Sequence, residues 1–353
     1  MKRDYSLIGT EGVRAEERGL VSANWYACTV PRKRMKELMQ RRDGPAIRDT
    51  VIWLAALGIT GWLGYLTWGT WWTVPAFAAY GVLYGSASDS RWHECGHGTA
   101  FKTPWMNDVI YQLASFMVLR EATSWRWSHA RHHTDTIIVG RDPEIFVARP
   151  ADLAAIGWSF FALKSGPAEL KRMLLHATGR MTAAEKTYVP PEEYGKVFRT
   201  ARIYLLVYLA VVAAAIGFRS WLPLMYVGLP SFYGAWLMVV FGLTQHAGLA
   251  EDVLDHRLNT RTVYLNPVFR FIYWNMNYHV EHHMFPLVPY HALPALHAEL
   301  KADTPRPYRG LGEAYREILP ALLRQSREPG FFVRRELPVS AQTLPPAGAA
   351  APT

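Results

Sequence analysis

From Val51 to Ser88 the chain contains no Asp, Glu, Lys or Arg. A water-soluble fold has little use for so long an uncharged run, whereas about 20 apolar residues carry a helix across the hydrocarbon core of a bilayer. The run therefore reads as two spans joined by a tight turn. Its middle, YLTWGTWWTVP, sets Trp68, Trp71 and Trp72 where an interfacial aromatic belt lies, with Pro75 at the start of the second helix.

A second apolar block comprises residues 203–218, a lone Arg219 and the uncharged run 220–250. It reads as another hairpin, with Pro223 near a helix start and Pro230 as a kink. Seven Lys or Arg lie between positions 31 and 50, none lies in the first turn, and Arg219 alone marks the second. Cationic residues stay on the cytoplasmic side, so both termini and the long polar segments are expected there. The predicted fold class is an all-α integral membrane protein. Four transmembrane helices form two hairpins, and a cytoplasmic helical cap holds the chemistry.

Three parts follow: residues 1–50, a cytoplasmic segment with a basic amphipathic helix; residues 51–325, the membrane domain; and residues 326–353, a mostly disordered Pro/Ala-rich tail. The N-terminus has no apolar core of signal-peptide type, so the first span is expected to serve as its own insertion signal. In PRKRMKELMQRR, Met35, Leu38 and Met39 make a narrow apolar stripe, suited either to a solvated helix or to one on anionic lipid. The formal net charge of +9 is explained by the membrane surface, and no nucleic-acid recognition motif accompanies it. Segments 109–119 and 153–163 are too short to span and suit the interface. Gly58, Gly61 and Gly64 form a small-residue stripe for close helix packing. Cys28 and Cys95 are the only cysteines, which excludes a disulfide framework or a thiolate cluster.

Histidine is sparse, 13 in 353 residues, yet it is clustered. His93 and His97 in RWHECGH fall at i and i+4 where the second span emerges. WRWSHARHHTDT carries His129, His132 and His133, and NYHVEHHMFP repeats that spacing with His279, His282 and His283. Residues at i, i+3 and i+4 share one helix face. His246 ends the fourth span at the same depth. His176, His256, His291 and His297 remain outside these groups and read as outer partners or surface residues. HECGH literally matches H-E-x-x-H, which admits a membrane zinc protease with Glu94 as base. That reading leaves six clustered histidines unused. Nine nitrogen donors exceed one tetrahedral zinc and argue for two metals with four or five ligands each. At a lipid boundary, breaking an unactivated C–H bond calls for a redox metal with dioxygen. A metal transporter would instead hold its ligands near the bilayer midplane.

Boxes H-x3-H, H-x2-H-H and H-x2-H-H on four spans resemble those of the membrane-bound fatty acid desaturase family, over positions 51 to 300. NYHVEHHMFPLVPYHALPALH is similar to its third box well beyond the histidines. The resemblance implies a non-haem di-iron enzyme using O2 as co-substrate and two iron ions, with the nine histidines as ligands, and acting on a fatty acyl or lipid chain. Desaturation is the leading outcome; hydroxylation of an acyl or alkyl chain is the alternative. Family acyl-CoA desaturases carry an Asn one turn before the histidine matched by His246; here that position is Gly242, and Asn275 or Asn277 are the substitutes considered. Glu94, Asp135, Asp142 and Glu281 are expected to orient ligand imidazoles. Trp92, Trp125, Trp127 and Trp274 flank the boxes, with interfacial anchoring the default over walling a tunnel. No dinucleotide-binding or haem-binding segment and no four-thiolate motif is present, so a separate electron carrier (ferredoxin, rubredoxin or cytochrome) is expected, with Arg32 to Arg42 as one landing surface. The expected location is a bacterial inner (plasma) membrane.

Overall fold

The computed structural model describes residues 3–338. Among them every regular element is helical. Two isolated bridges, Thr262 with Tyr278 and Val263 with Tyr308, tie the segment before the third histidine box. The all-α expectation therefore holds.

Two helices, within residues 32–66 and 191–217, are long and apolar enough to cross a membrane. Asp43–Leu66 and Tyr194–Gly217 have 24 residues each, a length of about 36 Å at 1.5 Å per residue, against a hydrocarbon core of about 30 Å. The other two apolar runs are not single helices. The first comprises Thr73–Gly81, a π-helical turn at Val82–Ser86, and Ala87–Gly96. The second comprises Leu222–Tyr226, Pro230–Tyr233 and Trp236–His246. Its break falls at Gly228, whose φ of 95° suits glycine, and Pro230 opens the next helix instead of kinking a continuous one.

The two columns cross beside the π turn, at Gly81 and Gly85 of the first and Pro230 and Gly234 of the second. A Cβ on Gly234 would strike the Gly81 carbonyl, and one on Gly81 would strike the Tyr233 ring. Ser86 Oγ donates to the Gly234 carbonyl at 2.6 Å and accepts from Met238 N at 2.9 Å. A π turn inserts one residue into the helix, and here it lets the columns meet backbone to backbone below His93 and His246. The glycine stripe does part of its expected work: a Cβ on Gly64 would lie 2.9 Å from Phe77 and one on Gly61 3.2 Å from Tyr80, whereas Gly58 faces open space.

The polar segments close over this bundle. Arg32–Leu38 is the expected basic helix; of its stripe Met35 and Leu38 turn inward, while Met39 is exposed. Leu38 is buried with Cys28, Tyr278, Val280 and Met284, and Met35 packs against them. The extreme N-terminus straps the far side: Arg3 bonds Glu11 at 3.1 Å and Glu251 at 2.9 Å, and Tyr5 OH donates to Glu251 at 2.7 Å while accepting from Arg149 N at 3.0 Å. Beyond the last helix, Leu311–Gln325, Val333 N donates to the Gly248 carbonyl at 2.9 Å. Residues 339–353, most of the expected tail, lie outside the described residues.

Candidate metal centre

Four helix ends deliver the nine histidines. Ala87–Gly96 carries His93 and ends at His97, and Trp236–His246 ends in His246. Ala122–Thr134 carries His129, His132 and His133; Glu121 caps it, its carboxylate accepting from Thr123 N at 3.0 Å and Ser124 N at 2.6 Å. The short helix His279–Met284 carries the third box.

All nine come together, in two adjoining groups. Ligand atoms of His93, His97, His129, His133 and His282 lie within 4.8 Å of one another, and so do those of His132, His246 and His283. His279 joins the second group, its Nε2 lying 3.1 Å from that of His283. Each H-x2-H-H box thus divides: the i and i+4 histidines turn to one group and the i+3 histidine to the other. The groups touch where the His133 and His283 rings stack, with centroids 4.4 Å apart.

The contacts between rings are nitrogen to nitrogen. In the five-membered group, Nε2 atoms lie 2.7 Å (His93 to His282), 3.1 Å (His97 to His129) and 3.2 Å (His129 to His133) apart. Nitrogens about 2.1 Å from one ion would be separated by about 3.0 Å at right angles and about 3.4 Å at tetrahedral angles.

The other ring nitrogens decide what faces inward. Nδ1 of His132 donates to Asp142 at 2.8 Å, that of His129 to Glu144 at 3.0 Å, and that of His246 to the Asn259 carbonyl at 2.8 Å. A neutral imidazole has one N–H, so these three present bare Nε2 lone pairs to the interior. His246 Nε2 is buried with no partner in the protein. Bare lone pairs converging with further imidazole nitrogens make a donor set that fits bound metal.

Burial, reinforced by the neighbouring imidazoles, holds His133, His279, His282 and His283 well below the usual histidine range and keeps them neutral. Burial also disfavours charge on Glu144, but His129 outweighs it and lowers that carboxyl to about 2. Likewise Asp142 more than offsets the burial of His132 and raises its pKa.

Several expectations about neighbours need correction. Asp135 orients no histidine: it pairs with Arg131 at 2.6 Å and accepts from Arg141 at 3.0 Å. Glu281 accepts from His297 Nδ1 and from Thr262 Oγ1, both at 2.5 Å, and so braces the third box from behind. Of the two readings for the remaining histidines, outer partner or surface, burial rules out the surface for His176, His256 and His297. Glu94 accepts from Tyr290 N at 3.1 Å and Thr99 Oγ1 at 3.3 Å, and its other oxygen lies 3.6 Å from His282 Nδ1. There it stands behind His282, a ligand-group histidine. Asn275 is engaged with Arg270 and the Tyr290 carbonyl, and the Asn277 NH2 donates to the Val263 carbonyl. Glu144 escaped the sequence reading; the only signal was its place two residues after Asp142.

A cavity of about 360 Å³ opens beside the histidines, lined by Trp92, His93, Trp125, His129, Gly242 and His246 among others. Trp92 and Trp125 therefore wall a cavity instead of anchoring at an interface. Trp274 is fully buried against Tyr290, and Trp127 alone of the four is exposed. Arg120 lies over the Trp92 and Trp125 rings and pairs with Asp89 at 2.6 Å.

Comparison with known proteins gives the same site a lineage. The model of one family, described as fatty acid desaturase, matches residues 69–315. The chain is 28% identical over 270 residues to an omega-6 fatty acid desaturase, endoplasmic reticulum isozyme 1, of Glycine max, covering 63% of this chain and 65% of that protein. It is 27% identical over 276 residues to a delta(12)-acyl-lipid-desaturase of Punica granatum, covering 68% and 67%. A delta(12) acyl-lipid conjugase (11E,13E-forming) of Momordica charantia is 28% identical over 292 residues, with 72% and 66% covered. The chain thus spans about two thirds of the length of these relatives.

Proposed function

The chain belongs to the fatty acid desaturase family, and from that membership and the histidine geometry we propose that it is a membrane-bound di-iron oxidoreductase that uses O2 and external electrons to desaturate a fatty acyl or lipid chain. One observation carries the metal reading: buried imidazole nitrogens from four segments converge to 2.7 Å and 3.1 Å of one another, and those of His129, His132 and His246 are bare lone pairs. His93, His97, His129, His133 and His282 would hold one ion, and His132, His246, His279 and His283 the other. Such ions supply the dioxygen chemistry needed to break an unactivated C–H bond.

The chain's own residues prepare that chemistry. Glu144 and Asp142 keep the protons of His129 and His132 on Nδ1 and so fix the direction of each Nε2. Trp92 and Trp125 present apolar faces along the cavity and exclude water beside His93 and His129. The names of the relatives, desaturases and a conjugase that act on acyl lipids, support an acyl substrate. An ordinary family donor, a ferredoxin, rubredoxin or cytochrome, would supply the electrons.

The proposed topology has four spans in a bacterial inner membrane, with termini and all nine histidines cytoplasmic, residues 51–325 forming the desaturase domain. The Lys/Arg bias before the first span supports it. Two measurements test the function together. Purified protein should contain close to two irons, and cells producing it should gain an unsaturated lipid by mass spectrometry that is lost in a His282→Ala variant. One zinc and no iron would refute the metal reading, and a hydroxylated lipid in place of an unsaturated one would refute desaturation.

A further inference from the structure

Nine histidines account for the two groups, and besides Trp92, which walls the cavity against His93 and His129, one further aromatic ring reaches them from outside. His256 is buried, and its ring lies 5.2 Å from that of His283, in the four-histidine group. Trp25 stacks on His256 with centroids 4.3 Å apart and planes 7° from parallel. Aromatic pairs in proteins range over about 4.5–7 Å between centroids, so this is a close face-to-face contact. The Trp25 indole N–H donates to the Thr134 carbonyl at 3.2 Å, fixing the ring to the residue after His133. Trp25 itself is half-buried, with part of its ring open to the surface. An unbroken series of π systems thus runs from the protein surface to His283.

Resting on the di-iron reading above, we propose that Trp25 and His256 are the entry route for electrons from a separate one-electron carrier protein, delivered to the four-histidine group at His283. Each passage oxidises the carrier by one electron and reduces one ferric ion to ferrous. Two passages supply two electrons. With two electrons and two protons from the substrate and two protons from solvent, they take one O2 to two waters. The carrier has a place to sit. Three residues along the same segment begins a groove of about 710 Å³, lined by Cys28, Val30, Arg32, Met35, Lys36 and Phe285 among others. Its apolar floor and cationic rim complement a carrier with an acidic rim around an apolar redox face, an attraction screened over about 8 Å at physiological salt.

The test uses purified iron-loaded protein without oxygen or substrate, so that turnover is not the readout. Loss of ferric absorbance is followed by stopped flow after mixing with chemically reduced ferredoxin or rubredoxin, and separately with dithionite, which is small enough to need no docking. Trp25→Leu is expected to slow reduction by the carrier at least about tenfold while leaving reduction by dithionite and the iron content unchanged. Trp25→Phe, which keeps a ring, should retain most of the carrier rate. His256→Gln interrupts the same route from inside and should reproduce the loss, so the proposal stays testable if Trp25→Leu does not fold. Wild-type carrier rates in both ring-deleting variants would overturn the route and place electron entry at the half-buried edges of His97 and His133. A wild-type protein without iron would instead refute the metal reading beneath it.

Discussion

Glu144 Oε2 stands 3.0 Å from His129 Nδ1, and that contact determines which nitrogen of His129 faces the other four imidazoles of its group. His129 lies within 3.2 Å of His93, His97 and His133, so its tautomer governs the five-histidine site as a whole. Glu144 also accepts from Ser128 Oγ at 2.8 Å, which fixes the carboxylate in turn.

Glu144→Ala should therefore weaken metal binding by about 10–100-fold, the usual cost of losing such a partner, with every ligand still present. Glu144→Gln keeps an acceptor in place and should lose much less. Iron content after graded chelator dialysis distinguishes the two, and equal retention by both variants would show that the tautomer is fixed some other way.

Gly234 and Gly58 provide a matched pair for the crossing of the two interrupted columns. Gly234→Ala drives a methyl group into backbone, which cannot rotate away, so a loss of about 1–3 kcal/mol or more is expected. Gly58 faces open space in the middle of a helix, where alanine is favoured by about 1 kcal/mol. Thermal melting in detergent should fall for Gly234→Ala and hold or rise for Gly58→Ala; the reverse order would mean the columns do not cross there.

A buried carboxylate away from the histidine groups sets an acid limit on stability. His176 Nε2 lies 3.0 Å from Glu185, which also accepts from Thr182 Oγ1 at 2.7 Å. Burial alone would raise the Glu185 carboxyl, but His176 and Arg172 outweigh it and hold it below the usual range. A carboxyl with a lowered folded pKa contributes stability that is complete above its unfolded value of about 4.3 and is lost as pH falls through the folded value. Wild type should thus lose stability more steeply than Glu185→Gln below about pH 4.3. Parallel curves in denaturant titrations across that range would sink the assignment.

Topology is open to direct measurement. Reporter fusions after Trp72 or Arg219 should read as outside the cell, because seven Lys or Arg precede the first span and none lies in its turn. A cytoplasmic reading at either position would contradict the four-span arrangement.

The histidines were legible because clustering in a histidine-poor chain has few other causes, and the spacing itself put three rings on one helix face. The division of each box between two groups was not. It depends on where the facing helices stand, as the contact of His282 with His93 across 189 positions illustrates. Glu144 was hidden for a related reason: its bond to His129 crosses an irregular loop, and no periodicity marks it. Burial of His256 and His297 came from the packing of residues 20–30 and 262–264 around them, which composition cannot foretell. The apolar runs predicted four spans, of which two are single helices long and apolar enough to cross a membrane; the π turn at Val82–Ser86 sits by the backbone contact of Gly81 with Gly234, 153 positions apart, which no periodicity marks.

The strap at the N-terminus carries an implication for the order in which the molecule is assembled. Arg3 and Tyr5 leave the ribosome well before their partner Glu251, which follows 248 and 246 positions later. Both apolar blocks, residues 51–88 and 203–250, must be synthesised before that contact exists. Because Glu251 and Arg149 also line the cavity, two residues of its wall are held in place by an early part of the nascent chain closing on a late one. Loop closure over such a distance costs only slightly more than over half of it, so timing, more than energy, is what this contact constrains.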